Sequence, residues 1–185
     1  MFRASLIATA LLVTATAQAE PDYSRVLDAE TFSIENGETD RAVLVANGES
    51  SSDLYVYLNL DNADGKAPKP ALVKKDAAWD GGIWGSRPSL ETTARGSLLI
   101  KSESTGAGRD RWTQTLTVVY RNREFIVAGL TREAHDTLSP DAGHSCDLNF
   151  LSGKGKKDGK SVEIKTPAMK LVDWSDGELP KECRF

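Results

Sequence analysis

Tryptophan and arginine are the residues of this 185-residue chain whose placement invites chemistry: Trp84 and Arg87 within residues 81–88, then Arg109, Arg111 and Trp112 shortly after a glycine-rich stretch. An indole combines a large apolar face with one N–H donor, and a guanidinium offers a planar fork of donors. Together they suit recognition of a partner, because such side chains carry most of the binding energy of interfaces. If the two segments meet at one end of a sheet, the five residues form a binding surface. A second reading uses the turn at 104–109, where backbone N–H groups with Arg109 and Arg111 would cradle an anion. The phosphate-binding pattern of a glycine-rich loop closed by Gly-Lys-Ser/Thr is absent.

Carboxylates are plentiful, and Glu91, Glu103, Glu133, Asp136 and Asp141 all fall in or near expected loops. A hydrolase acting on envelope polymers would need two of them close together with separated pKa values. No Gly-x-Ser-x-Gly, His-Glu-x-x-His or Ser-x-x-Lys signature accompanies them. His135, His144, Asp136, Asp141 and Cys146 resemble a set of metal ligands, but they lack the tight local pairs of zinc sites. Residues 61–65 resemble a calcium loop until the register is counted. With Gly65 at the turn, Leu60 and Ala71 fall where anchoring ligands belong. Neither a metal nor another cofactor is expected.

The compartment follows from the first residues and the cysteines. A basic start at Arg3, an apolar run over 6–16 and Ala17-Gln18-Ala19 make residues 1–19 a secretory signal peptide, too short to span a bilayer. No later run is apolar enough to do so, so no transmembrane segment is expected. The full chain carries 23 basic and 27 acidic residues, and loss of Arg3 with the leader moves the net charge from −4 to −5. Nucleic-acid partners are disfavoured, because phosphates require a concentrated basic face. Two cysteines in an exported chain imply one disulfide, Cys146 to Cys183. The expected location is the periplasm.

Positioning these residues requires strands. Residues 110–121 and 124–132 form two β-branched and aromatic runs around Asn122-Arg123, the pattern of an antiparallel hairpin. The expected pairs are Arg121 with Glu124, Tyr120 with Phe125, Val118 with Val127 and Leu116 with Gly129. Because Arg123 stands where glycine is preferred, a longer turn is the alternative. Further strands are expected at 41–46, 54–60, 71–75, 97–102, 146–151, 161–165 and 169–174. The strand at 54–60 alternates aromatic and aliphatic residues, so both of its faces are expected to be covered. Residues 77–88 are expected as a loop, 133–143 as a polar turn-rich segment, and the lysine-rich 152–160 as a solvated turn guarding a sheet edge. Residues 21–36 fit a short helix and a lead-in strand equally well. No stretch sustains helical apolar spacing. The fold class is therefore all-β, one antiparallel barrel or sandwich domain over 20–185.

The middle of the chain resembles a widespread group of uncharacterised exported bacterial proteins. The shared features are Gly81-Gly82-Ile83-Trp84-Gly85, Ser97-Leu98-Leu99-Ile100, Arg111-Trp112, Phe125-Ile126-Val127-Ala128-Gly129, Asp136-Thr137-Leu138 and the run from Cys146 to Lys154. They span most of residues 54–155. This resemblance implies a periplasmic β-rich module and brings no assigned activity or catalytic residue. The expected function is a non-enzymatic binding or interaction protein of the cell envelope, its partner a protein or envelope component. The alternatives are the paired-carboxylate hydrolase and a carrier holding a small apolar ligand among Val118, Tyr120, Phe125 and Val127.

Overall fold

The computed structural model describes residues 22–34, 37–48, 50–62, 67–82, 86–106 and 108–185. The expected signal peptide at 1–19 and Trp84 of the expected binding surface lie outside the described residues. Among these the strands are β1 (Val26–Phe32), β2 (Asp40–Ala46), β3 (Ser51–Tyr57), β4 (Leu72–Trp79), β5 (Ser89–Thr92), β6 (Leu98–Ser104), β7 (Asp110–Arg121), β8 (Glu124–Asp136), β9 (Ser139–Asn149), β10 (Lys154–Lys157), β11 (Lys160–Glu163) and β12 (Met169–Lys170). They form two antiparallel sheets, one ordered β1-β2-β3-β4, the other β11-β10-β9-β8-β7-β6-β5 with β12 added to β8. Short 3-10 turns fill the C-terminal segment, at Leu171–Asp173, Asp176–Glu178 and Lys181–Cys183. The chain is all-β, and no described helix is long and apolar enough to cross a membrane.

The β7–β8 hairpin closes on two residues, with Asn122 at φ 52° and Arg123 at φ 63°. Arg121 faces Glu124, Tyr120 faces Phe125 and Val118 faces Val127, as expected. Beyond that point a bulge leaves Ala128 unpaired, so Leu116 meets Leu130 and Thr117 meets Gly129. The expected pairing of Leu116 with Gly129 is thereby corrected. One extra residue on one strand reverses the side-chain alternation of all that follows. Leu130 thereby faces the core, where it is buried beside Leu116.

The core lies between the sheets. Ala42, Leu44, Leu54 and Val56 of the smaller sheet pack with Leu98, Ile100, Leu116, Val118, Val127, Leu130 and Leu148 of the larger. Each buried aliphatic side chain of this kind contributes about 1.5–3 kcal/mol. The outer face of β2 and β3 carries a second cluster, Val43, Val45, Tyr55 and Tyr57, so both faces of β3 are buried. At one margin side chains bind the sheets together: the Leu90 N–H donates to Asp28 Oδ2 at 2.7 Å, and the Thr92 hydroxyl to Glu30 Oε1 at 2.8 Å.

Three local expectations are corrected. Residues 77–79 belong to β4 rather than to a loop, because Ala78 and Trp79 pair with Ser52 and Ser51. The polar segment 133–143 is mostly strand, with β8 and β9 continuing to a turn at Thr137-Leu138. The lysine-rich turn is a hairpin, β10 and β11 joined by Asp158-Gly159. In each case the backbone ladder supplies the order; in the two polar segments many of the side chains are exposed, where they cost little, whereas Ala77 and Ala78 are buried. Residues 26–32, which fitted helix and strand equally, are strand β1.

The Cys146–Cys183 bridge is present, with Cα atoms 5.4 Å apart and both residues buried. It fastens the last 3-10 turn to the inner face of β9.

Candidate binding site

Cross-strand pairing places the inner-face residues of the larger sheet in rows. One row is Ile100–Leu116–Leu130–Leu148, fully apolar. The next toward the sheet end is Ser102–Gln114–Arg132–Cys146, and beyond it Ser104–Trp112–Ala134–His144. The core thus grades into a polar row and then an aromatic one. A polar row so close to the core is stable only if its groups are paired.

Gln114 and Arg132 are paired in series. Arg132 Nη1 donates to Gln114 Oε1 at 2.9 Å, and Gln114 Nε2 donates to Asp176 Oδ1 at 3.0 Å. Trp174 Nε1 donates to the same Asp176 oxygen at 2.8 Å. The Arg132 guanidinium also lies 4.5 Å from the centre of the Trp112 ring, within cation–π range. Burial pulls the Arg132 pKa down while the Asp176 carboxylate opposes the shift, and a guanidinium stays charged in either case.

Trp79 completes the cluster from the smaller sheet, its ring centroid 5.5 Å from that of Trp112 at an interplanar angle of 56°. A bulge leads into it: between the pairs Leu54–Lys74 and Ser52–Ala78, β4 carries two residues more than β3, with Asp76 at φ 51°. Asp53 organises the bulge, accepting from Lys75 Nζ at 2.5 Å and from the Asp76 N–H at 3.2 Å. Gly81 then passes so close beneath Trp79 that a Cβ there would lie 2.6 Å from the ring edge and 2.6 Å from the Ser86 carbonyl oxygen. No larger residue fits that contact.

Trp79 stands between two open recesses. One, about 440 Å³, is lined by Ser50, Ser51, Lys74, Trp79, Trp174 and Asp176 among others. The other, about 350 Å³, shares Ser50 and Trp79 and adds Arg25, Gly48, Asp80 and Gly81. The pair forms a groove with an indole as its central wall. Apolar rings with a few convergent polar groups are the usual lining of a ligand site.

Of the residues expected to form the binding surface, Trp112 belongs to this cluster. Arg111, its neighbour on β7, points to the opposite sheet face by strand alternation, and its Nη1 is buried without a hydrogen-bond partner. Arg109 is exposed and bound to Asp136, its Nε 2.7 Å from both carboxylate oxygens. That contact raises the Arg109 pKa and, with the Leu138 N–H, holds the Asp136 carboxyl below its ordinary value. Arg87 is exposed between buried Ser86 and Pro88. Two of the N–H groups that would meet an anion at 104–109 are already engaged, since those of Thr105 and Gly106 donate to Ser86 Oγ at 3.2 and 3.3 Å. Of the metal-like set, Cys146 is in the disulfide and His144 lies 3.4 Å from Asp158 and stacks on Phe185.

Sequence reasoning did not single out Lys74, Gln114, Arg132, Trp174 or Asp176 as site residues. The one available signal was Trp79 within the aromatic and glycine-rich stretch at 77–88. Comparison with protein-family models, with curated proteins and with solved structures finds no match to this chain.

Proposed function

We propose that this is an exported, non-enzymatic binding protein of the cell envelope, located in the periplasm, which engages its ligand or partner in the groove divided by Trp79. The two sheets facing across a common core are read as a sandwich, a scaffold that commonly presents binding residues at its ends. The observation that carries the proposal is the convergence of Trp79, Trp112 and Trp174 with Arg132 beside open recesses, from four separate chain segments. The Cys146–Cys183 bridge supports an oxidising destination. The resemblance of residues 54–155 to exported β-rich proteins supports it as well.

The two alternatives draw less support. Of the acids considered for a hydrolase, Glu91 is engaged by Lys101, Glu103 by Thr105 and Asp136 by Arg109. For a carrier, Val118, Phe125 and Val127 are packed into the inter-sheet core.

Tryptophan emission of the full exported protein, titrated with soluble envelope fractions, tests the proposal. A saturable change with the native protein, lost in Trp79→Ala while the fold is kept by circular dichroism, is expected. A response unchanged by Trp79→Ala would show that the groove is not the site.

A further inference from the structure

We infer that the ligand of this groove is a carboxylate-bearing oligosaccharide, one sugar face resting on the Trp79 ring and the carboxylate meeting the Lys74 ammonium. The inference rests on the binding role proposed above and names its ligand class.

Lys74 is the decisive residue. It projects from the inner face of β4 opposite Leu54 and is only 9% exposed, yet it makes no hydrogen bond or ion pair with any described residue. Its neighbour Lys75, though far more exposed, is bound to Asp53. A charge withdrawn from water without a partner is costly, and the common solution is a buried stem with the charged head kept at a polar opening. The opening here is the larger recess, which Lys74 lines. An anion entering it would meet the ammonium in a charge-assisted hydrogen bond.

The remaining lining suits a sugar. Trp79 offers an apolar ring face to the C–H side of a pyranose, while Ser50 and Ser175 supply hydroxyl groups that both donate and accept, and Ser51, whose O–H goes to the Ala78 carbonyl, can still accept. Asp176 spends Oδ1 on Gln114 and Trp174, leaving Oδ2 to accept from a ligand hydroxyl. The second recess continues past Trp79 to Asp80 and Arg25, so more than one sugar unit can be accommodated.

Calorimetric titration of the full exported protein tests this with trigalacturonic acid, its methyl ester, and the disaccharide of N-acetylglucosamine and N-acetylmuramic acid. The acid is expected to bind about tenfold or more tightly than the ester, as loss of a charge-assisted bond implies. Lys74→Met keeps the stem volume and should erase that difference; Trp79→Ala should weaken every saccharide that binds. A preference between trigalacturonic acid and the muramic disaccharide assigns the carboxylate to a uronate polymer or to the cell-wall glycan. Equal binding of acid and ester, or affinity unchanged in Lys74→Met, overturns the inference. If no saccharide binds while Trp79→Ala still abolishes the response to envelope fractions, the ligand class is wrong and the binding role survives. Absence of both removes the two together.

Discussion

The Arg132 guanidinium rests on the Trp112 ring, 4.5 Å from its centre and one cross-strand row away, while Nη1 reaches back to Gln114. Arg132→Ala deletes the cation and leaves Gln114 Oε1 without its donor, so stability should fall by about 1–3 kcal/mol. Arg132→Lys should recover only part of this, because an ammonium cannot stack and donate in the same plane. Urea denaturation of the three proteins checks the order.

Reduction of the Cys146–Cys183 bridge frees a loop spanning 37 positions. Restored chain entropy in the unfolded state should lower stability by about 4 kcal/mol. Denaturation with and without a reductant measures it. A change within error would mean that packing alone holds the C-terminal segment.

At the β7–β8 turn, Arg123 holds a left-handed backbone, φ 63°, without the freedom of glycine. Arg123→Gly relieves that strain but adds entropy to the unfolded chain, for a net gain of about 0.5–1 kcal/mol. A rise in melting temperature is the expected readout. Destabilisation would show that the Arg123 side chain contributes more than the turn costs.

Gly129 follows the bulge where β8 meets β9, and a Cβ there would lie 2.8 Å from the Leu148 carbonyl oxygen. Backbone atoms cannot yield cheaply, so Gly129→Ala should destabilise by about 1–3 kcal/mol. Hydrogen exchange should quicken along the β8–β9 ladder relative to β2–β3.

The Arg109–Asp136 pair has a defined pH signature. Because the folded Asp136 carboxyl is held below its ordinary value, chiefly by Arg109, its contribution is complete above the unfolded pKa of about 3.9. It is lost as pH falls through the lower folded value. Carboxyl-carbon NMR should show Asp136 titrating below that reference, and Arg109→Ala should move it upward.

Much of the scaffold was legible in the order of residues, because strand alternation and turn chemistry are local. The runs flanking Asn122-Arg123 announced their hairpin, and the four pairs nearest the turn follow from a two-residue connection. The 54–60 pattern announced a strand covered on both sides, which the structure holds over Leu54–Tyr57 and not beyond, and the two cysteines announced their bridge. The bulge at Ala128 was not legible. Every residue around it suits a strand, and only the facing ladder decides which one goes unpaired.

The groove lay further out of reach. Trp79, Trp112, Arg132 and Trp174 are separated along the chain by tens of residues, and each alone reads as ordinary core or surface. Strand parity put Arg111 and Trp112 on opposite faces, although they are adjacent and looked like one unit. The sequence by itself determined an all-β chain with its central hairpin and its one bridge, since these rest on period-two patterning and a count of thiols. Only the tertiary structure decided which indoles meet, that the buried Lys74 has no partner among the described residues, and where the recesses open. Those depend on how two sheets register across a shared core, a relation between distant segments that no local spacing encodes.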